Sequence, residues 1–181
     1  LTLDYDTSLE LYQIAEKNKC NLYVDDVFTF RKQVSEIKES LTDVNEFDVI
    51  WKKVGRSDYG KFIMSNLYSL AWHDFYLLYE CVGNKVSDIV KIDTKNKLQF
   101  SLMLNGKKIN FIYDRLSKTN EHSVNNISLM HDGNDEDAIM SMFKYVFSES
   151  VDCELNKKYT LFAAKLIDRL RKELFKNVNV V

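Results

Sequence analysis

Residues 59–82 read YGKFIMSNLYSLAWHDFYLLYECV, and this stretch carries the strongest helical pattern in the chain. At about 100° per residue, its apolar side chains fill well over half of the circumference and its polar ones share a narrow strip. A helix that is apolar over most of its surface is normally buried. The pattern therefore predicts one long central helix over residues 59–82, with the rest of the fold packed around it.

Asp74 lies inside the apolar arc of this predicted helix, beside Leu70, Leu77 and Leu78. A buried carboxylate is costly unless it is paired or hydrogen-bonded. Asp74 could be a functional acid with a raised pKa, aimed into a cleft. It could also be a structural carboxylate held by a lysine, a tyrosine hydroxyl or backbone N–H groups. The structural interpretation is favoured, and Asp74 is kept as a candidate functional buried acid.

Residues 98–113 predict a β-hairpin. Asn105-Gly106 is a preferred pair for a two-residue type I′ turn, which needs positive φ at both positions. Such a turn pairs Phe100 with Phe111 and places apolar side chains on one face. A slip by one residue would set apolar side chains against polar ones, so the turn and the pattern agree on the register.

The remaining periodicities predict five further helices, over residues 7–19, 25–41, 44–54, 135–147 and 155–176, and short strands at 89–93 and 127–130. Thr7 and Glu10 form a capping box for the first helix. Helices followed by strands and then helices are typical of an α+β protein. We therefore expect a single α+β domain over residues 1–181, a helical bundle around the 59–82 helix packed against a small antiparallel sheet.

The composition indicates a globular protein, with 45% hydrophobic and 29% charged residues and a net charge of -2. This charge gives no general attraction to nucleic acid or to anionic membranes. Three widely spaced cysteines favour a reducing, cytoplasmic location. No apolar run is long enough to span a membrane. An excess of lysine over arginine and many asparagines are typical of AT-rich genomes, including those of phages and large viruses.

No catalytic signature stands out, so the sequence does not point to an enzyme. Five glycines form no phosphate-binding loop, and no cofactor is predicted. The acidic loop at 131–137 differs from an EF-hand, because Asp137 stands where the glycine is required. The histidines lack zinc-site spacing, so no metal ligand is predicted. Asp93-Thr94-Lys95 resembles half of a metal-dependent nuclease motif, which keeps that class open as an alternative.

The last predicted helix carries a row of five cations on the side away from its apolar stripe: Lys158, Lys165, Arg169, Lys172 and Lys176. Such a row could follow a phosphate backbone. Two observations favour a solvated face instead. Asp168 and Glu173 can neutralise two of the cations, and no aromatic residue is interleaved to stack on bases.

These patterns predict a non-catalytic interaction or regulatory protein of a phage or viral type that binds a macromolecular partner. A protein partner or self-association is expected, without a membrane. The surfaces to test are the basic row and an apolar stripe formed by Val27, Phe30, Val34, Ile37 and Leu41. Two alternatives stay open: a nucleic-acid-binding accessory protein that uses the basic row, and a metal-dependent nuclease or hydrolase that uses Asp74 or Asp93.

Overall fold

The computed structural model describes residues 4–54, 66–93, 97–130 and 135–174. Five α-helices occur in this part of the chain: α1 (Tyr5–Lys17), α2 (Gln33–Ser40), α3 (Trp72–Cys81), α4 (Asp135–Val146) and α5 (Cys153–Leu174). A 3₁₀ helix covers Val27–Phe30, and a π-helical turn at Leu67–Ala71 leads into α3. The strands are β1 (Glu46–Val54), β2 (Val86–Asp93), β3 (Leu98–Leu104), β4 (Lys107–Ser117), β5 (Glu121–Val124) and β6 (Ile127–Ser128).

The six strands form one mixed sheet in the order β2-β3-β4-β1-β5-β6. β1 is parallel to β4, whereas the four other neighbouring pairs are antiparallel. A parallel pair needs a long crossover connection, because the chain must return to the same end of the sheet. The crossover from β1 to β4 carries α3, β2 and β3.

The predicted helical bundle with a small antiparallel sheet is wrong, because the mixed six-stranded sheet organises the fold. The predicted helix at 44–54 is strand β1. Its alternate residues Phe47, Val49 and Trp51 are buried. In so short a segment the spacing of the apolar residues fits both a helix and a strand. Pairing with both β4 and β5 stabilises the strand.

The predicted central helix is present as the π-helical turn and α3, while residues 59–65 lie outside the described part of the chain. Leu67, Leu70, Phe75, Leu77 and Leu78 are at most 1% exposed. The burial of this segment is thus confirmed. It packs against α5 on one side and approaches β4 on the other, so it is one layer of the fold and not its axis.

The predicted hairpin is confirmed in both its turn and its register. Asn105 and Gly106 have φ of 48° and 80° between β3 and β4. Phe100 pairs with Phe111, and Leu98 pairs with Tyr113 at the far end. The hairpin therefore places its Leu, Phe and Tyr side chains against the helical layer.

Three other predictions need correction. The helix expected at 25–41 is interrupted at Arg31, which is extended, so that only the 3₁₀ helix and α2 form. Ile37 and Leu41 of the apolar stripe are core residues, at most 1% exposed, and do not form a surface. The N-cap of α1 is Asp4, whose carboxylate accepts a 2.7 Å hydrogen bond from the Thr7 N–H.

The helices expected at 135–147 and 155–176 are confirmed as α4 and α5. Of the helices in the described ranges, none combines the length and apolar character needed to cross a membrane.

Candidate functional site

A buried hydrogen-bonded network surrounds Asp74, which is 1% exposed. The Tyr113 hydroxyl donates to Asp74 Oδ2 at 2.9 Å, and His122 Nε2 lies 2.7 Å from Asp74 Oδ1. Burial first, and then the charge of Asp74, raise the pKa of Tyr113 well above its usual value, which keeps this hydroxyl a donor. Asp74 thus joins α3 to β4 and β5.

His122 connects this network to an aromatic cluster. The Trp51 ring stacks on the His122 ring with centroids 3.8 Å apart and an interplanar angle of 9°. The Phe28 ring meets the edges of both, at 5.4 Å from Trp51 and 5.1 Å from His122. The indole is therefore held between the core network and the 3₁₀ helix.

A second carboxylate–histidine pair lies at the open side of this cluster. His73 Nδ1 is 3.0 Å from Asp26 Oδ2, and the Phe28 N–H donates to Asp26 Oδ1 at 2.9 Å. Asp26 is 3% exposed, whereas the His73 side chain is 34% exposed. Among the described residues no group pairs with His73 Nε2. One imidazole nitrogen is thus fixed by a buried carboxylate, while the ring itself is partly exposed to solvent.

The protonation of this pair follows from its surroundings. Burial raises the pKa of Asp26, although its contacts with His73 and Phe28 oppose the change. Burial lowers the pKa of His73, but the hydrogen bond and the charge of Asp26, with a smaller contribution from Asp74, outweigh it and raise the pKa. The pair therefore retains one proton to a higher pH than a free imidazole would.

We call Asp26, Phe28, Trp51 and His73 together the His73 site. The Phe28 ring lies 5.0 Å and the Trp51 ring 5.9 Å from the His73 ring. Two cations border the site. The Arg31 guanidinium carbon is 4.1 Å from the Phe28 centroid, and Lys53 Nζ is 5.2 Å from the Trp51 centroid. The site combines a titratable imidazole, aromatic rings and positive charge.

The sequence pointed to Asp74 and missed the His73 site. Asp26 and His73 are 47 residues apart in the chain, and no spacing rule links them. The adjacent pair His73-Asp74 was the available signal, since two neighbouring polar residues on an apolar helix must face different partners.

The predicted basic row remains a prediction, and the structure places most of its members. Arg169 bonds Glu173 at 2.8 Å and also the Ser87 carbonyl, so it is held within the protein. Lys158, Lys165 and Lys172 are exposed, and Lys176 lies outside the described residues.

No metal centre is found in the described ranges, where no three His, Cys, Asp or Glu side chains are arranged to hold an ion. Thr94 and Lys95 of the nuclease-like motif, and the loop at 131–134, are outside these ranges.

No family model and no curated protein matches this sequence. Solved structures with a similar fold do exist. The WlbA (WbpB) dehydrogenase from Thermus thermophilus, crystallised with NAD and alpha-ketoglutarate, has a TM-score of 0.70 at 13% identity, over 94% of this chain and 62% of its own. KijD10, a 3-ketoreductase from Actinomadura kijaniata, has a TM-score of 0.70 at 12% identity, over 95% and 68%.

A third similar structure is the UDP-N-acetylglucosamine 3-dehydrogenase GnnA from Acidithiobacillus ferrooxidans. Its TM-score is 0.60 at 12% identity, over 90% of this chain and 65% of its own. This chain therefore spans about two thirds of the length of the dehydrogenases that it resembles.

The described residues do not fit the pyrophosphate of a dinucleotide. Such a site needs a strand that leads through a glycine-rich turn into a helix N-terminus. The two glycines in the described ranges serve other purposes: Gly106 forms the hairpin turn, and Gly83, with φ of 111°, follows α3.

These comparisons correct the functional prediction as well as the fold. The fold is similar to that of a dehydrogenase crystallised with NAD and a ketoreductase crystallised with NADP, which overturns the prediction of a regulatory protein of phage or viral type. The comparisons do not bear on the binding of nucleic acid, so the basic row stays a prediction. At 12–13% identity the likeness establishes the fold alone.

Proposed function

We propose that this chain is the substrate-binding portion of an oxidoreductase that acts on a nucleotide-linked sugar. The observation that carries the proposal is the His73 site, where a half-exposed imidazole is backed by a buried carboxylate. The fold supports it, because similar chains are named as dehydrogenases or ketoreductases, and one was crystallised with UDP-GlcNAcA.

The chemistry of the site suits oxidation of a sugar hydroxyl to a carbonyl or the reverse reduction, and either direction requires a group that exchanges the hydroxyl proton. His73 supplies that group through Nε2, while Asp26 holds Nδ1 and stabilises the imidazolium. Because the pKa of His73 is raised, the imidazolium, which can donate a proton, persists to a higher pH than in a free histidine, and the neutral imidazole can accept one. We derive no hydride step, since the described residues form no dinucleotide site.

The border of the site suits the rest of such a substrate. A sugar presents apolar C–H faces that pack on aromatic rings, and the half-buried Phe28 supplies such a ring, backed by the buried Trp51 ring. A diphosphate needs cations, and Arg31 and Lys53 lie on those rings.

Tryptophan fluorescence tests the proposal directly, because the chain has two tryptophans and only Trp51 belongs to the site. In a Trp72→Phe variant, we expect UDP-N-acetylglucosamine to change the Trp51 emission in a saturable way. His73→Ala in the same background should weaken binding about tenfold, the loss of roughly one charge-assisted hydrogen bond.

Lys144→Ala is the matched control, since this exposed cation lies on α4 and borders neither Phe28 nor Trp51. Its affinity should equal that of the parent. Absence of a saturable signal in the parent, or equal weakening by the two variants, would contradict the proposal.

A further inference from the structure

A second concave site lies behind Asp26, between the 3₁₀ helix, α3 and α5. Its volume is about 180 Å³, which is room for about six water molecules at about 30 Å³ each. It reaches the surface at Glu80, whose side chain is 35% exposed, and at Asp152, which is also exposed. A ligand could therefore enter without unfolding the core.

The charged residues that line this cavity are all acids. Three of its lining residues are acids, Asp26, Glu80 and Asp152, and none of the described lining residues is Lys, Arg or His. The cations that pair with two of the acids do not line the cavity: His73 contacts Asp26 and Lys38 contacts Glu80 at 3.2 Å. The described lining therefore offers carboxylates and no cation, although two of the three acids are already paired from outside the cavity.

The acids are fixed in position by neutral donors. The Tyr159 hydroxyl donates to Glu80. The Leu155 N–H donates to Asp152 Oδ1 at 2.8 Å. Because these contacts are already made, the carboxylates hold their places before a ligand arrives.

Aromatic rings form the walls. Tyr145 meets Tyr23 at 6.2 Å and Phe30 at 5.6 Å, and across the cavity Tyr76 meets Tyr159 at 5.9 Å, all with steeply inclined planes. Burial first, and then the neighbouring Tyr145 and Asp26, raise the pKa of Tyr23 to about 12, so the ring keeps its hydroxyl proton. Ring faces attract cations, and cages of such rings recognise quaternary ammonium groups.

We propose that this cavity binds a small organic cation through an ammonium group, with the acids supplying charge and the tyrosine and phenylalanine rings supplying the walls. A neutral ligand of the same shape gains only the apolar contacts. The two sites share Asp26, but the inference does not rest on the oxidoreductase proposal, because it concerns a different ligand and the other lining residues lie outside the His73 site.

Calorimetric titration of the full chain with choline tests it. The control ligand is the uncharged isostere of choline, in which a tert-butyl group replaces the trimethylammonium group. We expect saturable binding of choline and at least about tenfold weaker binding of the isostere. Equal affinities, or no saturable binding of choline up to about 10 mM, would overturn the proposal.

Two variants locate the ligand. Glu80→Gln keeps the shape of the side chain and removes its charge, and Phe30→Leu removes a ring. Each should weaken choline binding about fivefold or more, and Glu39→Gln, an exposed acid on α2, should not. Binding that survives both cavity variants unchanged would place choline elsewhere and refute the assignment. UDP-N-acetylglucosamine binding is measured in the same samples, so the two proposals can fail separately.

Discussion

Two carboxylate–histidine pairs lie on either side of the Phe28 and Trp51 rings, and they differ in exposure rather than in chemistry. In the Asp74–His122 pair neither residue is more than 2% exposed. In the Asp26–His73 pair the carboxylate is equally buried, but the imidazole reaches solvent. The same two residue types thus serve to join the helical layer to the sheet in one place and to form a candidate reactive site in the other.

The largest effect is expected from Asp74→Ala. This change leaves the Tyr113 hydroxyl and His122 Nε2 buried without their acceptor. Loss of one partner of a buried pair costs about 3 to 5 kcal/mol of the free energy of unfolding. Urea denaturation followed by circular dichroism measures it.

The same substitution in the other pair, Asp26→Ala, sharpens the comparison. His73 can bond water after the change, so the loss should be clearly smaller than for Asp74→Ala. Equal losses in the two variants would show that exposure does not separate the pairs.

A smaller effect is expected from Tyr113→Phe, which removes one of the two donors to Asp74 and keeps the ring in place. A buried acceptor that loses one hydrogen bond costs about 1 to 3 kcal/mol. The matched control is Tyr68→Phe, at a half-buried position with no hydroxyl contact among the described residues, and it should leave the urea midpoint nearly unchanged. If the urea midpoint of Tyr113→Phe were as high as that of the control, the Tyr113 hydroxyl would not stabilise the network.

The smallest effect is a pH dependence specific to the open pair. The pKa values of both His73 and Asp26 are raised in the folded state. The folded protein therefore holds protons that the unfolded chain releases, and stability falls as pH rises. The His73 contribution is fully present below the ordinary value of about 6.5 and is lost as pH passes the raised value.

The double variant Asp26→Asn, His73→Gln has neither titrating group. Relative to this variant, the urea midpoint of the parent should fall as pH increases above about 6.5. A difference that stays constant with pH would mean that the pair does not hold the extra proton.

The hairpin was predictable because its determinants are local. Asn105-Gly106 sets the turn, and the alternation of Leu98 and Phe100 sets the face. Strand β1 was not predictable in this way. Its residues satisfy two periodicities, and its partners β4 and β5 begin 61 and 75 residues after its own first residue, at Lys107 and Glu121.

For the site, the sequence identified one buried acid and expected a lysine, a tyrosine hydroxyl or backbone N–H groups beside it; the structure shows the Tyr113 hydroxyl and also His122. The sequence did not reveal the Asp26–His73 pair, because the 3₁₀ helix and α3 meet only in the folded chain. A histidine on a polar strip looks solvated until the structure shows which carboxylate lies beside it.

The sequence by itself determined the hairpin register, the burial of the segment ahead of and within α3, and the two C-terminal helices, because turn chemistry and periodicity act over a few residues. Only the tertiary structure decided the mixed sheet, its single parallel pair and the difference between the two histidines. Strand pairing and solvent exposure depend on residues far apart in the chain, and no local pattern encodes them.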